Sequence, residues 1–315
     1  MKTYFRQRLL LLLPTLVGMT ALVFALGFIS PSDPAAVIMT MDGVTAPSPE
    51  EIAAKRVELG LDRPYAVQYA AWLGGVLRGD WGVSFITGKN VLQELLQALP
   101  VTLSLAGMAL LWVILLSVPL GAVMAVYRHG AAERWLTLLS IALTSLPSFW
   151  LAIVLMQILC ENLRIFPTSG YGTVRHLLLP GLVLGAGTTG AVMRLQRDAL
   201  TEVFAENYIL TARAKGLPLF YIVYRHALRN AFIATATMLG NYAGALLGGA
   251  AIIELIFALP GLGTLALTAV QARDYPMIQG YVLMVGCMMI LVNMCVDVFY
   301  VMLKPNLRLG DGQND

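Results

Sequence analysis

The chain has 315 residues, 58% of them hydrophobic and only 12% charged, with a formal net charge of +3. At a mean hydropathy of +0.75 it is excluded from the ordinary soluble domains, whose charged fraction is about twice as large; the balance is that of a polytopic membrane protein. The small positive excess comes from the connections between apolar runs and calls for no nucleic-acid partner.

Apolar runs long enough to cross about 30 Å of hydrocarbon occur at 9–29, 101–126, 135–160, 177–193, 231–253 and 277–303, which predicts six spans. The first follows Lys2, Arg6 and Arg8 as a secretory signal would. It is about twenty residues long with no small-residue cleavage site after it, so it reads as a retained anchor. Residues 30–100 form a long connection that is Pro-rich at 31–49 and helix-like from Pro49 through Gly60. Beyond that, Tyr65, Tyr69, Trp72, Leu73 and Val76 recur at helical spacing. This pattern predicts a small cap or docking platform rather than an independent domain.

Orientation follows from Lys and Arg in the short connections. With the N-terminus inside, they divide 13 on the cytoplasmic side to 3 outside, while 5 more lie in the 30–100 connection, too long for the rule to apply. Both termini are therefore expected in the cytoplasm. The fourth and fifth spans carry Gly181 and Gly185, then Gly240, Gly244 and Gly248, spacings that let helix backbones approach closely in lipid. Glu161, Glu254 and Asp297 are scattered near span ends and read as structural pairs despite the cost of intramembrane charge. His129, His176 and His226 form no set with metal-ligand spacing, so no metal centre or cofactor is expected. Cys160, Cys287 and Cys295 read as apolar packing residues.

Residues 194–230 are the most informative. Arg194, Arg197, Arg213, Lys215, Arg225 and Arg229 outnumber Asp198, Glu202 and Glu206, which marks a cytoplasmic segment. A helix running to Lys215 should stop at Gly216, with Pro218 preventing its continuation. The expected result is a short helix, a sharp turn and a second helix. Phe204, Tyr208, and Thr211 with Ala212 would lie on one face for a helix-in-groove contact, and Ala212 and Ala214 would admit a close partner surface. An energy source inside the chain is missing: the string Gly82 to Asn90 has one residue too many for a P-loop and ends in Asn where Ser or Thr is needed. No repeat of the kind that ion-driven carriers show is visible among the spans. Energy from another chain is favoured over the alternative, an ion-coupled carrier or channel acting alone.

At these residues the chain resembles the integral-membrane permeases of ATP-binding-cassette (ABC) importers, in the dipeptide, oligopeptide and nickel group, over nearly its full length. Leu210-Thr211-Ala212 stands where the family signature has Glu-Ala-Ala, Gly216 is the signature glycine, and His226-Ala227-Leu228-Arg229 fills the final part; TARAKGL and RHALRNA look like this branch's own version. Ser32-Asp33-Pro34, LGLDRPYAVQY at 59–69, ELIFALPGLG from Glu254 through Gly263, and Arg273-Asp274-Tyr275-Pro276 extend the likeness.

The resemblance implies an all-α membrane protein with six transmembrane helices, the type I ABC importer permease fold and an extracytoplasmic segment after the first helix. Residues 1–97 would form the first helix with that segment, 98–303 the transmembrane domain and 304–315 a cytoplasmic tail. ATPase-coupling roles are implied for Tyr208, Thr211, Ala212, Arg213, Ala214, Lys215, Gly216, Leu217, His226, Leu228 and Arg229, and gate or periplasmic roles for Asp33, Glu254, Pro260, Gly261 and Asp274. Implied partners are a second homologous permease, two cassette ATPases, an extracytoplasmic solute-binding protein and the lipid of a bacterial inner membrane. The chain would form half of a path for nickel, a metal chelate or short peptides. The stretch SFITGKNVLQELLQALPVTLSLAG and the GYG at 170–172 lean towards nickel or a chelate. Phosphate chemistry would belong to the ATPases, so the chain itself would not be an enzyme.

Overall fold

In lipid a backbone N–H or C=O finds no water, so a spanning segment must satisfy its own hydrogen bonds, which a helix does. The computed structural model describes residues 14–25, 33–41, 43–44 and 46–303, and each of the six apolar runs is helical among them. In chain order the helices are α1 (Pro14–Ala25), α2 (Pro34–Met41), α3 (Pro49–Glu58), α4 (Tyr65–Leu77), α5 (Val91–Val126), α6 (Ala131–Ser145) and α7 (Ser148–Leu155), the last continued by a π-helical turn over Met156–Asn162. Then come α8 (Arg175–Phe204), α9 (Asn207–Ala214) and α10 (Leu219–Tyr221), a second π-helical turn over Ile222–Ala227, and α11 (Leu228–Ile256), α12 (Leu262–Ala272) and α13 (Tyr275–Leu303). Lys2, Arg6, Arg8, Ser32, Lys304, Arg308, the tail 304–315 and the side chain of Asp297 lie outside the described residues.

Two features differ from the expected pattern. The third run, 135–160, is not one straight helix: α6 and the α7 segment meet at a bend of 106°. Pro147 has no N–H to donate and pushes Leu146 into extended backbone (φ −76°, ψ 130°), which ends a helix whatever the hydropathy around it. The second is α12, a short apolar helix that lies outside the six apolar runs.

The described chain divides into two compact units, one made of residues up to Pro100 with Gly261–Ile290, the other of Val101–Pro260 with residues from Leu291. In the first, Val91, Leu95 and Ala98 of α5 bury against Leu262 and Ala269 of α12 and Met277 and Met284 of α13. Only part of the helical stripe of α4 packs on α1: the Tyr69 and Trp72 rings sit 5.5 and 5.7 Å from Phe24 and Tyr69 hydroxyl lies 2.8 Å from Thr20 Oγ1, while Tyr65 is 68% exposed. α3 begins in a capping box, Ser48 Oγ accepting from Glu51 N and Glu51 Oε2 from Ser48 N. The hydrogen bonds from Ser48, backbone first, hold the Glu51 carboxyl below the usual range.

In the second unit α8 is the central helix, with α6 and α11 packed along it. Its glycines make that approach possible. A Cβ at Gly181 would stand 2.5 Å from Met108 Cγ, one at Gly185 2.9 Å from Ala109 O, and one at Gly190 2.5 Å from Ser140 O. On α11, Gly240 faces Val296 at similar range, whereas Gly248 meets nothing within 4 Å. The small-residue spacing therefore reports packing at Gly181, Gly185 and Gly240 and open surface at Gly248.

That contrast is testable. Gly190→Ala, which forces a methyl against a backbone carbonyl, should destabilise the detergent-solubilised protein by ~1–3 kcal/mol; Gly248→Ala should leave its thermal midpoint unchanged or slightly raised.

Candidate functional site

The basic segment begins inside α8, which runs well past the predicted span end at residue 193 to Phe204. Its first two cations are engaged with the framework. Arg194 donates to Ser140 Oγ at 3.2 Å. Arg197 donates through Nε and Nη2 to Glu133 Oε1 at 2.9 and 2.5 Å, and through Nη1 to Asp198 at 2.6 Å. Glu133 is 9% exposed and also accepts from the backbone N–H of His129, so one carboxylate ties the turn before α6 to α8.

Beyond Ala205 the chain turns and α9 runs for eight residues, Asn207–Ala214. Gly216 has φ +75°, the left-handed conformation that costs a residue with a Cβ. Leu217 N donates to Ala212 O and Gly216 N to Arg213 O, at 3.3 and 2.9 Å; this bond pair is the Schellman motif. Pro218 then starts α10, and the π-helical turn leads into α11. The same stop recurs at the end of α11. There Leu259 N donates to Glu254 O and Ala258 N to Leu255 O, with Ala258 at φ +50° and Pro260 two residues on.

The elbow rests on an apolar seat. Ile209, fully buried, and Ala212 pack with Leu200 of α8, Ile222 and Ala227 of the π-helical turn, Ala231 of α11, and Ala122 and Ala125 of α5; Leu217 and Leu228 close the edges. Ala212 therefore faces inward and is not part of the outer surface. The outward residues of the segment are Tyr208, Leu210, Thr211, Arg213, Ala214, Lys215 and Gly216, with Arg229 beyond the turn. The Arg213 guanidinium lies 5.7 Å from the centre of the Phe204 ring, a cation–π separation. His226 is half-buried, its ring edge-on to Tyr221.

Spacing did not single out Phe220 and Tyr224, which stack 6.2 Å apart at 81% and 70% exposure. An exposed aromatic pair one turn apart on a helix resembles ordinary core periodicity in sequence, so only the fold reveals it. Glu133 is a second such residue: its partner Arg197 is 64 positions away.

The remaining candidates each lie within one unit. Asp274, almost fully buried, accepts from Ser84 Oγ at 2.5 Å and from the backbone N–H groups of Phe85 and Met277, fastening the 84–87 turn to the start of α13. Asp33 pairs with Arg56 at 3.1 Å on the rim of an open cavity of about 1050 Å³ that also takes in Tyr65, Trp72 and Pro276. Glu254, fully buried, accepts from Thr102 Oγ1 at 2.6 Å. Pro260 is exposed, and Gly261 is the buried residue before α12. Among the described residues no three His, Cys, Asp or Glu side chains gather where they could hold a metal ion.

Residues 117–309 match the family described as the inner membrane component of binding-protein-dependent transport systems, and residues 1–106 match the N-terminal part of such membrane components. The chain is 38% identical to the glutathione transport system permease protein GsiC of Salmonella paratyphi A over 308 residues, 98% of this chain and 99% of that one. It is 35% identical to the dipeptide transport system permease protein DppB of Escherichia coli K12 over 341 aligned positions, again 98% and 99% of the two chains. By their names these relatives belong to glutathione and dipeptide transport systems. Inward-facing structures of the MetNI methionine ABC transporter share the fold, with a TM-score of 0.57 over 66% of this chain and 95% of that one at 18% identity.

Gly216→Val should uncap α9, because a β-branched side chain at that φ costs at least ~1–2 kcal/mol. The check is limited trypsin digestion of the solubilised protein: cleavage after Arg213 and Lys215 should quicken by roughly tenfold, since about 1.4 kcal/mol of opening free energy is a factor of ten in the open population.

Proposed function

The chain belongs to the family of binding-protein-dependent transport system inner membrane components, a transport permease rather than an enzyme, and on that premise we propose that it forms half the path of an ATP-driven importer. In this reading a second, similar permease completes the path. Two cassette ATPases dock on the cytoplasmic side, and an extracytoplasmic solute-binding protein delivers the cargo. Both termini and the elbow around Gly216 face the cytoplasm, in keeping with the 13 to 3 division of Lys and Arg.

One observation carries the coupling role: α9 is held on its inner face by a packed seat and leaves its outer face open. A rigid short element with a free surface suits it to receive a push from a motor subunit and pass it into α5, α8 and α11, whose ends form the seat. The 36 residues of α5 and 30 of α8 would reach about 54 and 45 Å at 1.5 Å per residue. Each is long enough to carry a displacement at the elbow through the membrane's thickness.

The cargo is a short peptide or peptide-like solute, a reading supported by GsiC and DppB, whose likeness runs over 98% of this chain. It replaces the lean towards nickel, which rested on short stretches around 84–107 and 170–172.

Reconstitution in liposomes with the second permease, both ATPases and the binding protein tests the reading. Uptake of labelled glutathione or a dipeptide should require ATP inside the ATPase-facing compartment, and Gly216→Pro should cut it at least about tenfold, the factor that roughly 1.4 kcal/mol of lost coupling represents. Uptake of nickel in place of peptide would overturn the cargo assignment. Uptake by this chain alone, driven by an ion gradient and insensitive to ATP, would overturn the importer itself.

A further inference from the structure

Behind the elbow seat, α5, α8 and α11 meet in layers about one helical turn apart. The seat takes Ala125, Leu200 and Ala231 from the three helices. Four residues farther from it, on the same helix faces, stand Gly121, Gln196 and Thr235. Beyond these, Val192 and Leu239 pack on Val113 in a small apolar cluster. The middle layer is polar and shut off from solvent. Gln196 and Thr235 are fully buried, and Thr235 Oγ1 donates to Gln196 Oε1. The other end of the amide is left over: among the described residues, Gln196 Nε2 and Ser117 Oγ are the buried side-chain atoms without a hydrogen-bond partner. Ser117 is itself fully buried.

These two unpaired groups sit on neighbouring helices at different levels. A Cβ at Gly121 would stand 2.8 Å from Gln196 Cβ, so the amide stem lies against that glycine. Ser117 is four residues from Gly121, about 6 Å along α5 at 1.5 Å per residue. The faces between the helices are smooth. Gly181 meets Met108, Gly185 meets Ala109 and Val113, and Gly121 meets Met193 and Gln196; the numbers rise together, so α5 and α8 run parallel. A glycine on one side of each contact leaves no side chain there to interlock. Because α8 leads directly into α9, a displacement of the elbow towards the membrane carries Gln196 along α5 from Gly121 towards Ser117. The length of the glutamine side chain makes a slide of less than one turn sufficient.

We propose that Gln196 is a positioning residue of the transport step: in this structure its amide is tied to Thr235 beside Gly121, and in the alternate state of the transport cycle its Nε2 donates to Ser117 Oγ. The proposal rests on the importer reading and places, inside one permease chain, the pair of groups that registers the stroke of the elbow. A buried polar atom without a partner costs free energy, so the arrangement seen here carries a cost that the alternate one relieves at both atoms. Helices that slip past one another between two discrete packings are an established form of switching, and a buried polar contact is well suited to fix which of the two registers is occupied.

Stability and transport together separate this role from a purely structural one. In the solubilised protein Ser117→Ala removes an unpaired hydroxyl and should leave the thermal midpoint unchanged or raised. Thr235→Val breaks a bond already made and should lower it by at least about 2 °C. In liposomes holding the second permease, both ATPases and the binding protein, Ser117→Ala and Gln196→Leu should each cut the labelled glutathione or dipeptide taken up per ATP hydrolysed at least about fivefold, the factor that roughly 1 kcal/mol represents. The double variant should lose no more than the larger single loss, because both changes remove the same bond. A lowered midpoint for Ser117→Ala would mean that the hydroxyl is already paired in the resting state, and overturns the proposal. Wild-type uptake per ATP in Ser117→Ala overturns it too, as does a double loss equal to the product of the single ones; in these cases the importer reading stands. A wild-type assembly without ATP-dependent uptake overturns the importer reading and the proposal with it.

Discussion

The burial of one side of a two-turn helix governs the rest. Eight residues are too few to hold a helix in water by their own hydrogen bonds, so α9 persists because Ile209 and Ala212 are buried on Leu200, Ile222 and Ala227. A fully buried isoleucine contributes about 1.5–3 kcal/mol, and the Schellman bonds around Gly216 fix where the helix must end. The seat is built from the ends of α5, α8 and α11, so the elbow cannot tilt without moving at least one of them. Packed interiors deform little and transmit displacement, and that property makes a small surface element able to act on long helices.

Two kinds of packing meet at this junction. Along the apolar runs, where lipid removes the hydrophobic drive for helix association, contact comes from the absence of side chains at Gly181, Gly185 and Gly190. At the elbow alanines, leucines and isoleucines bury area in the ordinary way. Between them sit Arg194 and Arg197, each bound to a residue of α6. A partly buried guanidinium–carboxylate pair gives direction more than stability, and here it sets the azimuth at which α8 leaves α6.

Much of this was legible in the sequence, and the rest was not for definable reasons. Gly216 and Pro218 announced the elbow because left-handed backbone and a missing N–H are properties of single residues. The stripe from Tyr65 to Val76 announced α4 because its aromatic and apolar residues recur at helical spacing between the charged flanks Asp62-Arg63 and Arg78 with Asp80. By contrast the break at Pro147 was hidden by hydropathy, since 135–160 is apolar on both sides of the bend. The direction of Ala212 was illegible because α9 carries small or apolar residues on both faces, and only the seat decides which turns in. Glu133 and Asp274 take their partners from 64 and 190 positions away, distances over which local patterning says nothing. The cargo stayed open because the apolar runs carry no group that names a ligand. It entered through the relatives' likeness instead.

The central claim is that the outer face of α9 touches a nucleotide-hydrolysing subunit. Cysteine placed at Lys215, in a chain whose Cys160, Cys287 and Cys295 have been replaced, should cross-link to an ATPase subunit in the assembled complex, with a yield that changes when ATP is added. Cysteine at Arg63, an exposed position before α4, should give no such product. Cross-linking from Arg63 and none from Lys215, with or without ATP, would contradict the account.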